Sequence, residues 1–200
     1  MLTSLPNLLT LFRIAAIPGI VALFFLESEL GQYLACGLFG IAAITDFFDG
    51  YLARAYGQQS SFGQFLDPVA DKLLVASALL MATGFGQISG LTMLPAVVIL
   101  CREILVSGLR EFLAGLQISV PVSNLAKWKT MIQMFAIGFL IVGDSGPEIL
   151  PTRMIGEFGL WAAAVLTLIT GYDYLRASLH HLTGETEQLP DATDQARDDG

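Results

Sequence analysis

The chain has 200 residues with a formal net charge of −8, and 54% of them are hydrophobic whereas only 14% are charged. Several apolar runs approach about 20 residues, the length that crosses a bilayer, so the composition excludes an ordinary soluble domain and indicates an integral membrane protein. Nucleic acid is not an expected partner, because the sequence has no basic stripe with interleaved aromatic residues.

Six apolar segments predict an all-α, polytopic protein with six transmembrane helices. The predicted spans are 8–26, 32–54, a third that ends near 85, a fourth that ends near 115, a fifth that ends near 143, and 155–177. Six acidic residues and one arginine follow Thr183, and few large apolar residues follow His181. We therefore expect one transmembrane domain over residues 1–182 and a disordered acidic tail over residues 183–200.

The first apolar segment lacks a basic leader and a small-residue cleavage site, so we expect a membrane span rather than a removable signal peptide. Asn7, Thr10 and Arg13 are three residues apart, which places them on one face of this helix. The residues alone allow two interpretations of that face. It is either a polar stripe that belongs to a site, or a capped helix with a snorkelling arginine.

Two pairs of aspartates occupy the segment DFFDGYLARAYGQQSSFGQFLDPVAD, residues 46–71. The spacings of Asp46 with Asp49 and of Asp67 with Asp71 place each pair on one face of a helix. If these helices face each other, four carboxylates converge at a membrane boundary, where they are costly unless paired, hydrated or bound to metal. Such hard oxygen donors, without a local His or Cys, favour Mg²⁺ or Mn²⁺. The alternative is that these acids at the helix ends pair with Arg54 and Lys72 or are simply solvated, but two basic residues cannot balance four acids at such close quarters.

The start of the third helix can be predicted in two ways, because Pro68 directly follows Asp67. Pro68 either lies inside the helix and kinks it near its start, or occupies the first helical position with Asp67 as the cap. The sequence does not decide between these two starts.

Basic residues cluster near the ends of the later spans. Arg102 and Arg110 lie at the end of the fourth span, and Lys127 and Lys129 lie in the first turns of the fifth. Cations at a helix N-terminus oppose the helix dipole, so the lysines do not serve helix stability. An anionic ligand explains them, and lysines that face lipid headgroups are the alternative.

The distribution of basic residues predicts the orientation in the membrane. With six spans, all of the ten basic residues except Arg153 fall on the side that carries both termini. The positive-inside rule therefore places both termini, the four aspartates and the basic segments on the cytoplasmic side.

The full pattern D-x2-D-G-x2-A-R-x8-G-x3-D-x3-D runs from Asp46 to Asp71. It resembles the motif of the CDP-alcohol phosphotransferases, membrane enzymes that join a CDP-activated group to an alcohol. The resemblance implies two Mg²⁺ or Mn²⁺ ions per site, with Asp71 as general base as well as metal ligand. The metal ligands that it implies are Asp46, Asp49, Asp67 and Asp71. The residues that it implies for binding CDP-diacylglycerol are Asn7, Thr10, Gly50, Ala53, Arg54, Ser60 and Gly63.

The segments PNLLTLFR, REILVSGLREF and LAKWKT extend the resemblance over residues 1–177, and they are closest to bacterial members that use a phosphorylated acceptor. The implied reaction transfers a phosphatidyl group from CDP-diacylglycerol to sn-glycerol 3-phosphate, giving phosphatidylglycerophosphate and CMP. The residues predicted to bind the acceptor are Arg102, Arg110, Lys127 and Lys129. The resemblance also implies a homodimer among the lipids of the bacterial inner membrane, with its active site facing the cytoplasm.

Three alternatives compete with this interpretation. The nearest is a member of the same family that uses a different acceptor alcohol. An aspartate-rich membrane prenyltransferase would have more helices and a different aspartate spacing, and it leaves the G-x2-A-R insert unexplained. A cation transporter would place its carboxylates near the membrane midplane rather than at the ends of the spans.

Overall fold

The chain is described by a computed structural model that covers the backbone of residues 5–56, 61–118 and 124–186, and the side chains of 7–45, 63, 66–118 and 124–179. Within these ranges the chain forms helices and no strand, which confirms the predicted all-α class. The six α-helices are α1 (Leu5–Phe24), α2 (Glu29–Tyr56), α3 (Ser61–Gly84), α4 (Met93–Gly115), α5 (Asn124–Val142) and α6 (Thr152–Thr186). Two short 3₁₀ turns, Gly90–Thr92 and Gly143–Ser145, precede α4 and follow α5.

Four segments of the described chain are long and apolar enough to cross a bilayer, which identifies a multi-pass membrane protein. They are Asn7–Phe24, Gly90–Gly115, Asn124–Ser145 and Thr152–Leu179. The apolar part of α2 that the structure describes, Glu29–Thr45, is shorter. Helix α3 carries Asp67, Asp71 and Lys72 in its first half, and these charges lower its hydropathy. The arrangement with six spans therefore stays a prediction.

Two helix boundaries differ from the expected ones for local reasons. Helix α2 begins ahead of residue 32, because Ser28 Oγ accepts a hydrogen bond from the Gly31 N–H at 3.1 Å and thereby caps the helix. Helix α6 continues from the predicted end at 177 to Thr186. Residues 187–200, which form most of the predicted tail, lie outside the described residues.

The start of α3 settles the position of Pro68. The helix begins at Ser61, so Pro68 lies inside it, and the alternative in which Asp67 caps the helix is wrong. Because proline has no N–H, it removes one intrahelical hydrogen bond close to the two aspartates of α3.

The helices pack as two groups that are joined where α2 contacts α5 and where α3 contacts α4 and α5. Helix α1 packs against α2 and α3, α6 packs against α4 and α5, and α2 contacts α5. Glycines let α5 and α6 approach closely: a Cβ at Gly156 would lie 2.7 Å from Leu140 Cγ, and one at Gly159 would lie 2.9 Å from Ala136 Cβ. Small residues at such positions are typical of helix pairs in membranes.

Polar contacts concentrate at the two ends of the bundle. At one end, Arg153 donates hydrogen bonds to Asp144 at 2.9 Å and to the Gly86 carbonyl at 3.2 Å, which ties α6 to the loops before α4 and after α5. At the other end, α1, α3, α4 and α5 bring together a set of charged side chains. Arg153 thus lies apart from the described basic side chains at that other end, Arg13, Lys72, Arg102 and Lys129, and that end carries the candidate site.

Candidate active site

Helix α1 supplies two donors to the first aspartate of α3. Asp67 Oδ1 accepts hydrogen bonds from Thr10 Oγ1 at 3.1 Å and from Arg13 Nη1 at 3.3 Å. The Arg13 side chain is 0% exposed, which excludes a snorkelling arginine. The polar stripe of α1 therefore belongs to the site, and Thr10, predicted to bind the lipid donor, contacts an aspartate of the motif.

The second aspartate of α3 uses only one of its two oxygens in hydrogen bonds with the described residues. Asp71 Oδ2 accepts a hydrogen bond from Lys72 Nζ at 2.9 Å. Asp71 Oδ1 is buried, and it has no hydrogen-bond partner among the described residues. Lys72 Nζ also lies 3.6 Å from Glu103 Oε2 of α4, so the lysine is held between two carboxylates. A carboxylate oxygen without a hydrogen-bond donor keeps its lone pairs available to accept a proton or to bind a cation.

Glu103 is the centre of a buried charge cluster. Its carboxylate lies 3.6 Å from both Lys72 Nζ and Arg102 Nη1, and it also binds Lys129 Nζ. Glu103 and Lys129 are only 8% and 2% exposed. Buried charges need such pairing, because each unpaired ion would cost several kcal/mol. Lys129, predicted to bind the acceptor, is thus held by Glu103 instead of opening to solvent.

Arg102 is likewise occupied by protein contacts, here with α6. Its Nη2 donates a hydrogen bond to Thr170 Oγ1 at 3.0 Å. Gly171 gives it room, since a Cβ at that position would lie 3.2 Å from Arg102 Cγ and Nε. The guanidinium therefore lies against α6 and next to Glu103.

We expect Glu103→Gln to destabilise the protein by about 3–5 kcal/mol, because it removes the carboxylate that three buried or half-buried cations share. Thermal unfolding of the purified protein in detergent measures this effect. Glu111→Gln is the matched control, since Glu111 lies on the same helix but is exposed. Equal unfolding temperatures for the two variants would show that the cluster does not stabilise the fold.

A pocket of about 210 Å³ lies between α3 and α4 at the charged end of the bundle. The residues that line it are Asp67, Pro68, Asp71, Lys72, Ser107, Arg110 and Glu111. Its volume suits a small polar molecule better than a lipid, since pockets for drug-sized ligands begin at about 300 Å³. Both aspartates of α3 and two cations thus share one cavity.

The remaining predicted residues divide into two groups. Asn7 is buried on α1, Gly63 lies half-buried in the first turn of α3, and Lys127 is exposed on α5, away from the pocket lining. The other group is outside the described side chains: Asp46, Asp49, Gly50, Ala53 and Arg54, which lie on helix α2, and Ser60. Among the side chains that the structure does describe, no three candidate metal ligands converge. The convergence of four aspartates therefore stays a prediction.

The family model for CDP-alcohol phosphatidyltransferases matches residues 3–169. The chain belongs to this family. The match includes α1 to α5 and the first half of α6, and hence all residues that line the pocket. The family that the motif resembles is thereby confirmed.

Several curated bacterial relatives carry the name CDP-diacylglycerol–glycerol-3-phosphate 3-phosphatidyltransferase. The protein of that name from Rickettsia bellii is 52% identical over 174 residues, which are 87% of this chain and 94% of the relative. The protein of that name from Pectobacterium atrosepticum is 44% identical, and the match covers 90% of this chain and 97% of the relative. The protein of that name from Cereibacter sphaeroides is 40% identical, and the match covers 91% of this chain and 98% of the relative.

The structure adds pocket residues that the sequence alone does not assign to a site. The sequence predicts Lys72 only as a counter-ion of the aspartates, and it assigns no role to Ser107 or Glu111. A helical signal was available, because Glu103, Ser107 and Glu111 are spaced by four and Arg110 is three beyond Ser107. The same spacing rule that groups the aspartates would have placed these residues on one face of α4.

Proposed function

We propose that the protein transfers the phosphatidyl group of CDP-diacylglycerol to sn-glycerol 3-phosphate, giving phosphatidylglycerophosphate and CMP. The observation that carries this proposal is the pocket that Asp67 and Asp71 of the family motif line together with Lys72 and Arg110. Cations beside the reacting carboxylates suit a phosphorylated acceptor, since charge-assisted hydrogen bonds to phosphate are among the strongest available. Acceptors such as choline, ethanolamine or serine would have no need of them. The relatives' shared name supports the same acceptor.

Asp71 is the proposed general base. It lines the pocket, and its Oδ1 has no hydrogen-bond donor among the described residues, so it can accept the proton of the acceptor hydroxyl. Lys72 holds the other oxygen at 2.9 Å and fixes the orientation of the carboxylate. Arg110 would bind the acceptor phosphate, and Lys72 lies on the same pocket wall as Asp71.

The donor set of α3 fits a hard divalent cation. Asp71 Oδ1 has no hydrogen-bond partner among the described residues, and the Asp67 side chain is 37% exposed although two donors hold its Oδ1. We propose that Asp67 and Asp71, together with Asp46 and Asp49, hold Mg²⁺ or Mn²⁺, with two ions per site. When bound, these ions would neutralise the diphosphate of the donor and stabilise the leaving CMP.

The donor nucleotide is proposed to bind between α1, α2 and the start of α3. Thr10 supports this placement, because it reaches Asp67 across the interface of α1 and α3. Asn7 lies on the same face of α1, and Gly63 lies one turn before Asp67. Gly50, Ala53, Arg54 and Ser60 complete the proposed set.

We also propose six spans, with both termini and the active site on the cytoplasmic side of the bacterial inner membrane. The separation of Arg153 from the charged end of the bundle supports this orientation. Exposed apolar side chains such as Leu80 and Phe158, each 71% exposed, suit contact with membrane lipids. The proposed catalytic domain covers residues 1–182, the acidic tail covers 183–200, and the protein is proposed to be a homodimer.

Arg110→Ala should raise the KM for sn-glycerol 3-phosphate by about 10- to 150-fold, equivalent to about 1.5–3 kcal/mol for one charge-assisted contact. The KM for CDP-diacylglycerol should change little, because Arg110 lies on α4, away from the proposed donor site. Steady-state kinetics with each substrate varied in turn measure both values. Arg176→Ala, which removes an exposed arginine of α6, is the charge-matched control.

A second comparison tests how far the acceptor site extends. Lys127 is exposed and does not line the pocket, so Lys127→Ala should affect the acceptor KM less than Arg110→Ala does. Equal increases would extend the acceptor site to α5. Equal effects of Arg110→Ala on both substrates would mean that Arg110 does not bind the acceptor.

The proposed function is tested by offering purified protein labelled sn-glycerol 3-phosphate, glycerol, serine or inositol, with and without CDP-diacylglycerol. We expect label in lipid only from sn-glycerol 3-phosphate and only when CDP-diacylglycerol is present. Transfer to another alcohol at a higher rate would assign the protein to a different acceptor within the same family.

A further inference from the structure

Helix α6 carries an aromatic ring that contacts a cation of the pocket. The guanidinium carbon of Arg110 lies 5.6 Å from the centre of the Tyr174 ring, within the range of a cation–π interaction. Arg110 is exposed and lines the pocket, whereas Tyr174 is only 9% exposed. The ring thus contacts a pocket residue although Tyr174 itself does not line the pocket.

The Tyr174 ring is held in place by packing between α4 and α6. It forms a small apolar cluster with Val106 and Leu113 of α4, which are 5% and 1% exposed. These two residues lie before and after Arg110 on the same helix. The ring is therefore fixed against the helix that carries the arginine, and the guanidinium rests on a rigid surface.

A rigid support for Arg110 matters because a long, exposed arginine loses much rotamer freedom when it binds a phosphate. A side chain that is already restrained before binding loses less, and the affinity for the ligand rises accordingly. Arg102, the other arginine of α4, is also restrained by α6, because it contacts Thr170 and Gly171. One stretch of α6 thus restrains both arginines.

We propose that Tyr174 is a positioning residue that holds Arg110 at the pocket and thereby sets the affinity for the phosphorylated acceptor. This inference rests on the proposed function, since it takes Arg110 as the residue that binds the acceptor phosphate. It extends the acceptor site to α6, a helix on which neither the aspartate motif nor any predicted site residue lies.

The first test replaces the ring while keeping an apolar side chain. Tyr174→Leu should raise the KM for sn-glycerol 3-phosphate by about two- to fivefold, the value of a cation–π contact at an exposed site. Both kcat and the KM for CDP-diacylglycerol should stay unchanged. Tyr174→Phe keeps the aromatic face and should restore the acceptor KM. Tyr172→Leu is the matched control, because Tyr172 is 65% exposed on the same helix and should leave all three constants unchanged.

A double-mutant cycle separates positioning from a general structural role. In an Arg110→Ala background, Tyr174→Leu should have no further effect on the acceptor KM, because the ring then has no guanidinium to hold. Additive effects of the two substitutions would overturn the proposal. If wild-type protein fails to use sn-glycerol 3-phosphate at all, the proposed function fails. If it uses this acceptor and Tyr174→Leu leaves the KM unchanged, only the role of Tyr174 fails.

A third measurement tests the proposal even if the Tyr174→Leu variant does not fold. Phenylalanine analogues with increasing numbers of ring fluorines, introduced at position 174, keep the shape of the ring and weaken its negative face. We expect the acceptor KM to rise steadily with fluorination. A constant KM across the series would show that the ring acts by packing alone.

Discussion

Asp71→Asn should lower kcat by about 10²–10⁴-fold, the usual contribution of general acid–base catalysis. Asparagine keeps the shape and one oxygen acceptor of the aspartate, but it cannot take up the proton of the acceptor hydroxyl. Asp71 lines the pocket, and its buried Oδ1 has no hydrogen-bond partner among the described residues, whereas its Oδ2 is held by Lys72. The variant therefore tests proton transfer with little change in the pocket's shape.

Comparison with other variants separates the base from the residues that only hold metal. CDP-diacylglycerol binding should survive in Asp71→Asn, whereas Asp46→Asn and Asp49→Asn should weaken donor binding as well as turnover. Asp173→Asn, in the exposed part of α6, is the matched control and should be fully active. Near-normal turnover of Asp71→Asn, or a loss of donor binding as complete as in Asp46→Asn, would show that Asp71 is not the base.

Chelation with EDTA should abolish activity, and added Mg²⁺ or Mn²⁺ should restore it. Four carboxylates at one site would repel each other without cations, and the charged diphosphate of the donor would add to that repulsion. The titration should be made on purified protein, with activity and metal-dependent thermal stabilisation recorded on the same samples.

Thermal stabilisation gives this prediction a readout that does not depend on turnover. A ligand that binds only the folded state raises its stability, so Mg²⁺ should raise the unfolding temperature of chelator-treated wild-type protein. Asp67→Asn should reduce that increase, whereas Asp173→Asn should not. Full activity in EDTA would contradict a metal-dependent reaction.

The helices and their polar faces followed from the sequence because they depend on local spacing. The three-residue spacing of Thr10 and Arg13 and the four-residue spacing of Asp67 and Asp71 are both realised, on α1 and α3. Spacing along a chain could not show that these two faces meet. That contact depends on how α1 packs against α3, which the apolar pattern leaves undetermined.

Burial explains why the cations predicted to bind the acceptor do not all lie at the pocket. The sequence grouped Arg102, Lys129 and Arg110 as cations near helix ends, but charge alone does not reveal a partner on another helix. Glu103 binds the first two and leaves Arg110 at the pocket. The role of Pro68 inside α3 was open for a similar reason, since both predicted helix starts satisfied the local rules.

The measurement that most directly tests the central claim, a single pocket with separate roles for its base and its cation, is a kinetic comparison of Asp71→Asn with Arg110→Ala. Both substrates should be varied for each variant in the same preparation. We expect Asp71→Asn to lower kcat and to leave the acceptor KM nearly unchanged. We expect Arg110→Ala to raise the acceptor KM and to leave kcat nearly unchanged. The claim is wrong if both substitutions change the same kinetic constant. It is also wrong if both raise the KM for CDP-diacylglycerol as much as the KM for sn-glycerol 3-phosphate.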